Sequence, residues 1–118
     1  MAERPYQKLI AWQEAHKLCV WTYQITKKFP PDERFGLTTQ MRRSSSSVPM
    51  NIAEGNVKRS KKDQAHFLET ALGSLEELHY QYVLAFELHY IIVDESQKAH
   101  DWVQRVGFLT NKLRQSIL

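Results

Sequence analysis

Residues 61–90 read KKDQAHFLETALGSLEELHYQYVLAFELHY. Leu68, Ala71, Leu72, Leu75, Leu78, Tyr82, Ala85 and His89 recur three or four residues apart, and this spacing predicts a helix over 61–90 that buries one stripe. At 1.5 Å per residue such a helix is about 45 Å long. Ser60, with Asp63 three residues on, is a capping-box variant that opens it. Gly73 lies inside the pattern, where a glycine costs about 1 kcal/mol relative to alanine. Ala71, Gly73 and Ser74 are therefore expected to mark the close approach of a second backbone.

Three further segments carry helical stripes. Ala11, Ala15, Leu18, Thr22, Ile25 and Phe29 predict a helix from about Gln7 to Lys28, ended by Pro30 and Pro31. Leu37, Met41, Ser44 or Ser45, Val48 and Ile52 predict a second, with Pro49 in its middle. A proline there removes one amide and crowds the carbonyl four residues earlier, so the expectation is a helix kinked near Pro49, or two short helices with Ser47 as N-cap. Gly55 is the expected C-cap. Asp94 with Gln97 is expected to cap the last helix, whose stripe is Ala99, Trp102, Val103, Val106, Leu109, Leu113 and Ile117. Four amphipathic helices with short connections imply an all-α fold, an antiparallel up-and-down four-helix bundle forming a single domain over 1–118.

Composition supports a packed core. The chain has 118 residues, 42% of them hydrophobic and 11% aromatic, which excludes a disordered chain, and its one cysteine, Cys19, excludes a disulfide scaffold. The first eight residues, MAERPYQK, carry three charges with no apolar run after them, and no stretch is apolar for the length of a spanning helix. A soluble, cytoplasmic protein with no membrane partner is expected. Net charge is only +3, but it is unevenly spread. Residues 41–62 carry six basic groups and one acid, net +5, whereas residues 63–95 carry seven acids and no Lys or Arg.

Catalytic chemistry finds little to work with. Glu76 and His79 have the Glu-x-x-His spacing of di-iron bundles, but no second such motif exists and Asp101 is the only acid within the last helix beyond its first turn. Cys19 lies on an apolar stripe, no Gly-x-Ser-x-Gly elbow surrounds a serine, and the four glycines form no phosphate loop. The expectation is a protein with no catalytic residues, no metal and no cofactor. The stronger signal is Arg42, Arg43, Lys58, Arg59, Lys61 and Lys62, a cluster of the kind that neutralises phosphates on RNA or DNA. A solvated polar face is the alternative for these residues, but cations at the start of a helix oppose its dipole and are not there for helix stability. Val20, Trp21, Tyr80, Phe86, Tyr90 and Phe108 fall off the core stripes and suggest a subunit interface, the acidic third helix meeting basic neighbours in a homo-oligomeric ring. Pro49, Asn51, Glu54 and Gly55 read as a structural motif, Asn51 and Glu54 tying the end of the second helix to a neighbour with Arg43 as an ion-pair partner for Glu54; a ligand site there is the other reading.

Several strings together carry a family resemblance. Leu9-Ile10-Ala11-Trp12-Gln13-Glu14-Ala15, Phe35-Gly36-Leu37-Thr38-Thr39-Gln40-Met41-Arg42-Arg43, Ser47-Val48-Pro49-Met50-Asn51-Ile52-Ala53-Glu54-Gly55 and Ala71-Leu72-Gly73-Ser74-Leu75-Glu76-Glu77-Leu78 occur in this order. In them the chain resembles the bacterial four-helix-bundle proteins encoded in intervening sequences of 23S ribosomal RNA genes. The resemblance implies an antiparallel bundle and a homopentameric ring. It also implies kinship with accessory proteins of diversity-generating retroelements, whose ring partners a reverse transcriptase and contacts nucleic acid. It carries over no catalytic residue. Ser44 and Ser45 stand where the family usually has alanine, so the second helix is expected to be slightly more polar.

Overall fold

The computed structural model describes residues 2–117. A short 3-10 helix over Pro5–Lys8 leads into α1 (Ile10–Thr26), followed by α2 (Leu37–Asn56), α3 (Lys61–Glu87) and α4 (Val93–Ile117), with a second 3-10 turn at Pro31–Glu33. Each long helix packs on its two sequence or cyclic neighbours, α1 and α3 both lying between α2 and α4, in a bundle 43 Å long and 28 by 21 Å across. The all-α four-helix bundle expected from the periodicity is the fold observed. α1 begins at Ile10 rather than Gln7, because Leu9 is extended and separates the proline-initiated 3-10 turn from the helix.

The core consists of the stripes read from sequence. Leu18, Met41, Val48, Ile52, Ala71, Leu78, Tyr82, Ala85, Ala99 and Val106 are all closed to solvent or nearly so. The buried hydroxyls of Thr22, Thr26 and Thr110 each donate to the carbonyl four residues back, whereas among the described residues the buried Gln81 Oε1 and Trp102 Nε1 have no partner. Thr22 Oγ1 donates to the Leu18 carbonyl at 2.9 Å, so the Tyr82 hydroxyl, 2.6 Å away across the core, is the donor to Thr22. Burial holds the Tyr82 phenol well above the ordinary tyrosine range. Trp21 and Tyr90 are half-buried and pack against this core. Trp21 stacks on Tyr82 with ring centroids 5.5 Å apart, and Tyr90 lies against Phe29 at 5.2 Å. The off-stripe residues that do face solvent are Val20, Tyr80, Phe86 and Phe108.

Between the two arrangements expected around Pro49, α2 takes the single helix, continuous from Leu37 to Asn56. Ser47 is no N-cap: its hydroxyl meets that of Ser74 on α3 at 2.8 Å. Ser45 and Ser46 donate to the carbonyls of Arg42 and Arg43, and Asn51 Nδ2 donates to the Ser47 carbonyl at 2.8 Å. Hydroxyls and an amide are thus distributed along the helix on both sides of the proline.

Neither of two glycines has the role expected of it. Gly55 is inside α2 and not its C-cap; a Cβ built there would lie 2.9 Å from Phe67 Cβ and 3.4 Å from the Gln64 carbonyl, so α2 and α3 approach closely here. A Cβ on Gly73 would meet nothing within 4 Å, because Gly73 faces solvent, and the α2 contact falls to its neighbour Ser74. Helix 61–90 also stops earlier than expected, at Glu87. His89 adopts φ 63°, its amide donates to Phe86 and the Tyr90 amide to Ala85, which closes the helix as a Schellman motif with histidine in the usual glycine place. α4 is not capped by Asp94 with Gln97. Glu95 Oε1 reaches back to the Ile92 amide at 3.0 Å, while Gln97 donates to Asp101.

Glu33 ties the two loops at one end of the bundle together. Its Oε1 accepts the Leu37 amide at 3.1 Å and its Oε2 accepts the Tyr90 hydroxyl at 2.8 Å. The Leu37 amide, then the Tyr90 hydroxyl, hold this carboxyl below its ordinary pKa.

Two predictions follow from these contacts. Gly55→Ala must displace the Phe67 Cβ and should lower stability by about 1–3 kcal/mol, whereas Gly73→Ala should raise it by up to about 1 kcal/mol; chemical denaturation of both variants checks the opposite signs. A depressed folded-state pKa means that Glu33 stabilises the fold above the unfolded carboxylate pKa of about 4.3 and that this stability is lost as pH falls through the folded value. Glu33→Gln should therefore be less stable than the parent at pH 7, and the two should converge in denaturation midpoint as pH is lowered below about 4. A constant gap across that range would disprove the role of this carboxylate.

Candidate nucleic-acid interface

In an up-and-down bundle the α2–α3 connection shares an end with the start of α1 and the finish of α4. The side chains agree: Leu9, Asn56, Gln64, Leu113 and Ile117 surround one small cavity there. Lys58, Arg59, Lys61 and Lys62 lie on this connection and on the first turn of α3, which begins as the sequence indicates, with Ser60 Oγ accepting the Asp63 amide at 3.1 Å. The loop is held from inside by Gln64, whose Nε2 donates to the Lys58 carbonyl at 2.8 Å. Lys58 is half-buried, its ammonium 5.0 Å from the Phe67 ring centre, a cation–π contact that leaves its charge at the surface. Arg59, Lys61 and Lys62 are exposed, and among the described residues none is in an ion pair.

Arg42 and Arg43 are not part of this patch. They precede Lys58 by four turns of α2, roughly 20 Å or more along the axis, which places them toward the opposite end. Arg42 is turned onto α1: Nε donates to Thr26 Oγ1 at 3.0 Å, Nη2 donates to the Tyr23 carbonyl at 3.3 Å, and the guanidinium lies 4.9 Å from the Tyr23 ring centre. It closes the C-terminus of α1, a structural task. Arg43 is exposed. Its expected ion pair with Glu54 does not occur among the described residues, since eleven positions along a helix separate the two by about 16 Å. Asn51 bonds back within α2 and Glu54 is exposed, so neither ties α2 to a neighbour through these bonds, whereas Gly55 of the same motif lies against Phe67 on α3.

The structure adds cations that sequence order hides. Arg4 and Lys8, exposed on the N-terminal 3-10 turn that packs against α1 and α2, come to the same end, and Lys112 and Arg114 approach it from α4. Arg114 is occupied by Glu69, with Nη2 to Oε1 at 2.8 Å. Scattered over 110 residues, these four show no cluster until topology brings the termini to the α2–α3 loop. Beside Lys61 and Lys62 a shallow cleft of about 500 Å³ runs past His66 and Glu69 to Ile117. The acids of α3 stay apart from the patch for the most part. Glu76 and Glu87 face solvent farther along the helix, and Glu77 turns to α2, accepting from Ser44 at 2.7 Å and from Gln81.

No helix among the described residues is long and apolar enough to cross a membrane. No curated protein matches the chain. Among solved structures, a Bacteroides thetaiotaomicron protein of unknown function from the S23 ribosomal protein family superposes with a TM-score of 0.82, covering 90% of this chain and 96% of that one. At 19% sequence identity this shows a shared fold. Residues 7–112 match the family described as 23S rRNA-intervening sequence protein, a match over most of the chain and all four helices, and the chain belongs to that family.

Proposed function

We propose that this protein is a non-enzymatic, homo-oligomeric bundle that contacts RNA or DNA through the end carrying Lys58, Arg59, Lys61 and Lys62. The observation that carries this reading is three exposed, unpaired cations, Arg59 on the α2–α3 connection and Lys61 and Lys62 on the first turn of α3, with Arg4 and Lys8 at the same end of the bundle. Clustered cations at one end of the bundle neutralise phosphates and release counterions, and repetition of the end in a ring multiplies the field. Five subunits is the number favoured by the resemblance. Arg42 has no part in this contact, and Arg43 lies too far from the patch to share a phosphate with it.

A scaffold that docks another protein is the second reading, with a reverse transcriptase as one partner of the kind implied by the resemblance. It draws on the apolar residues at the far end, Phe35 at 87% exposure with Leu88, Ile92 and Val93, and on Tyr80 at 62% among the acids of α3.

Fluorescence anisotropy with labelled RNA and DNA separates the readings. The parent should bind both with little sequence dependence and a steep loss with salt, each phosphate contact contributing a log–log slope of about −0.9 on duplex DNA and about −0.7 on single strands. Joint substitution of Lys58, Arg59, Lys61 and Lys62 by Glu should abolish binding with the oligomer mass unchanged by light scattering, while Arg42→Ala should lower stability and leave binding intact. No binding by the parent at low salt, or equal binding by the reversed variant, favours the scaffold. A mass of 13.9 kDa at tens of micromolar, that of one chain, would remove the ring.

A further inference from the structure

On the outer face of the α3–α4 pair, far from the basic end, two histidines meet. His79 Nε2 lies 2.9 Å from His100 Nδ1, with ring planes at 65°. One nitrogen donates and the other accepts, so the two imidazoles converge on a single shared proton. The pair borders an open groove of about 330 Å³ that also touches Val83, Ser96 and Gln97. The Gln97 amide is engaged with Asp101, and the Tyr82 hydroxyl with Thr22, so neither competes for the imidazoles. The other histidines are isolated from the pair: His16 stacks on Trp12, His66 meets Phe67 edge-on, and His89 forms the turn after α3.

We propose that His79 and His100 form a two-imidazole site for a borderline divalent transition-metal ion, Zn²⁺, Ni²⁺ or Cu²⁺, which clamps α3 to α4. Two nitrogens bound to one tetrahedral ion at 2.0–2.1 Å are about 3.3 Å apart, so the pair opens by a few tenths of an ångström and each ring turns by roughly 35° to aim its lone pair at the ion instead of at the other ring. The chemistry is a tautomer shift followed by metal uptake, with no proton released. The donor imidazole moves its hydrogen to its remote nitrogen, both rings stay neutral, and two lone pairs face the ion, so no redox partner or leaving group is needed. Imidazole pairs select these late ions over Mg²⁺ and Ca²⁺, which take oxygen ligands. Among the described residues no third His, Cys, Asp or Glu joins the pair, so water completes the coordination and the ion is exchangeable rather than locked in.

Calorimetric titration of untagged protein with ZnCl₂ and NiCl₂, beside thermal melts in the same salts, tests this site. One ion per chain and a metal-dependent rise in Tm are expected; His79→Gln and His100→Gln should each weaken binding by about tenfold or more and abolish the rise, whereas His16→Gln and His66→Gln should change neither. Glutamine keeps a polar side chain at these surface positions, and circular dichroism without metal establishes that each variant is folded. Cu²⁺ electron paramagnetic resonance of the parent should show two coordinated imidazole nitrogens, reduced to one or none in either variant. Absence of a thermal shift at millimolar metal, a single-nitrogen signal in the parent, or binding by His79→Gln and His100→Gln as tight as the parent's would overturn the proposal.

Discussion

The close seam between α2 and α3 is the constraint on which the rest of this bundle depends. At its loop end Gly55 leaves no room for a Cβ beside Phe67. At its middle Ser47 and Ser74 share a hydrogen bond of 2.8 Å, and farther on Ser44 donates to Glu77. Small and hydroxyl-bearing residues let two backbones approach while leaving no buried donor unpaired along the seam. That seam also holds α2 together across Pro49, where an isolated helix would lose about 3 kcal/mol. Helices α1 and α4 then close the core with larger residues: Leu18, Val103 and Val106 fill what the α2–α3 pair leaves open. The short loop from Val57 to Ser60 is anchored to the seam by Gln64, whose Nε2 donates to the Lys58 carbonyl at 2.8 Å.

How much of this was legible in sequence follows from the range of each interaction. Apolar periodicity is local, and it located four helices and nearly all core residues, because burial at 3.6-residue spacing leaves a direct trace. Helix ends were harder. Asp94 and Gln97 have the spacing of a cap, but Glu95 is the residue that reaches the free amide, and both are acceptable chemistry in a first turn. Gly55 and Gly73 look alike in one dimension; only the crossing of α2 and α3 decides which one faces a neighbour. Trp21 and Tyr90 lie off the strict stripes yet pack on Tyr82 and Phe29, since a large ring reaches around the edge of a helix.

The candidate site divides the same way. The cluster from Lys58 to Lys62 is contiguous and was visible at once. Arg42 has the same charge but a different task, because only the fold places the Tyr23 carbonyl and Thr26 hydroxyl in front of it. Arg4 and Lys8 needed the up-and-down topology to join the patch. His79 and His100 are 21 residues apart on different helices, and no motif of spacing links them. Charge and contact in this protein are therefore segregated: a basic end at the α2–α3 connection, an outer α3 face with acids and Tyr80, and a distant apolar end around Phe35.

Native-state hydrogen exchange across α2 tests the seam most directly. If packing against α3 holds α2 as one unit through Pro49, the amides of Val48, Asn51 and Ile52 should exchange as slowly as those of Leu75 and Leu78 on α3, all by global unfolding. Exchange of residues 50–56 orders of magnitude faster than residues 41–48 would mean that the segment after the proline opens alone, and the account of a rigid α2–α3 platform would be contradicted.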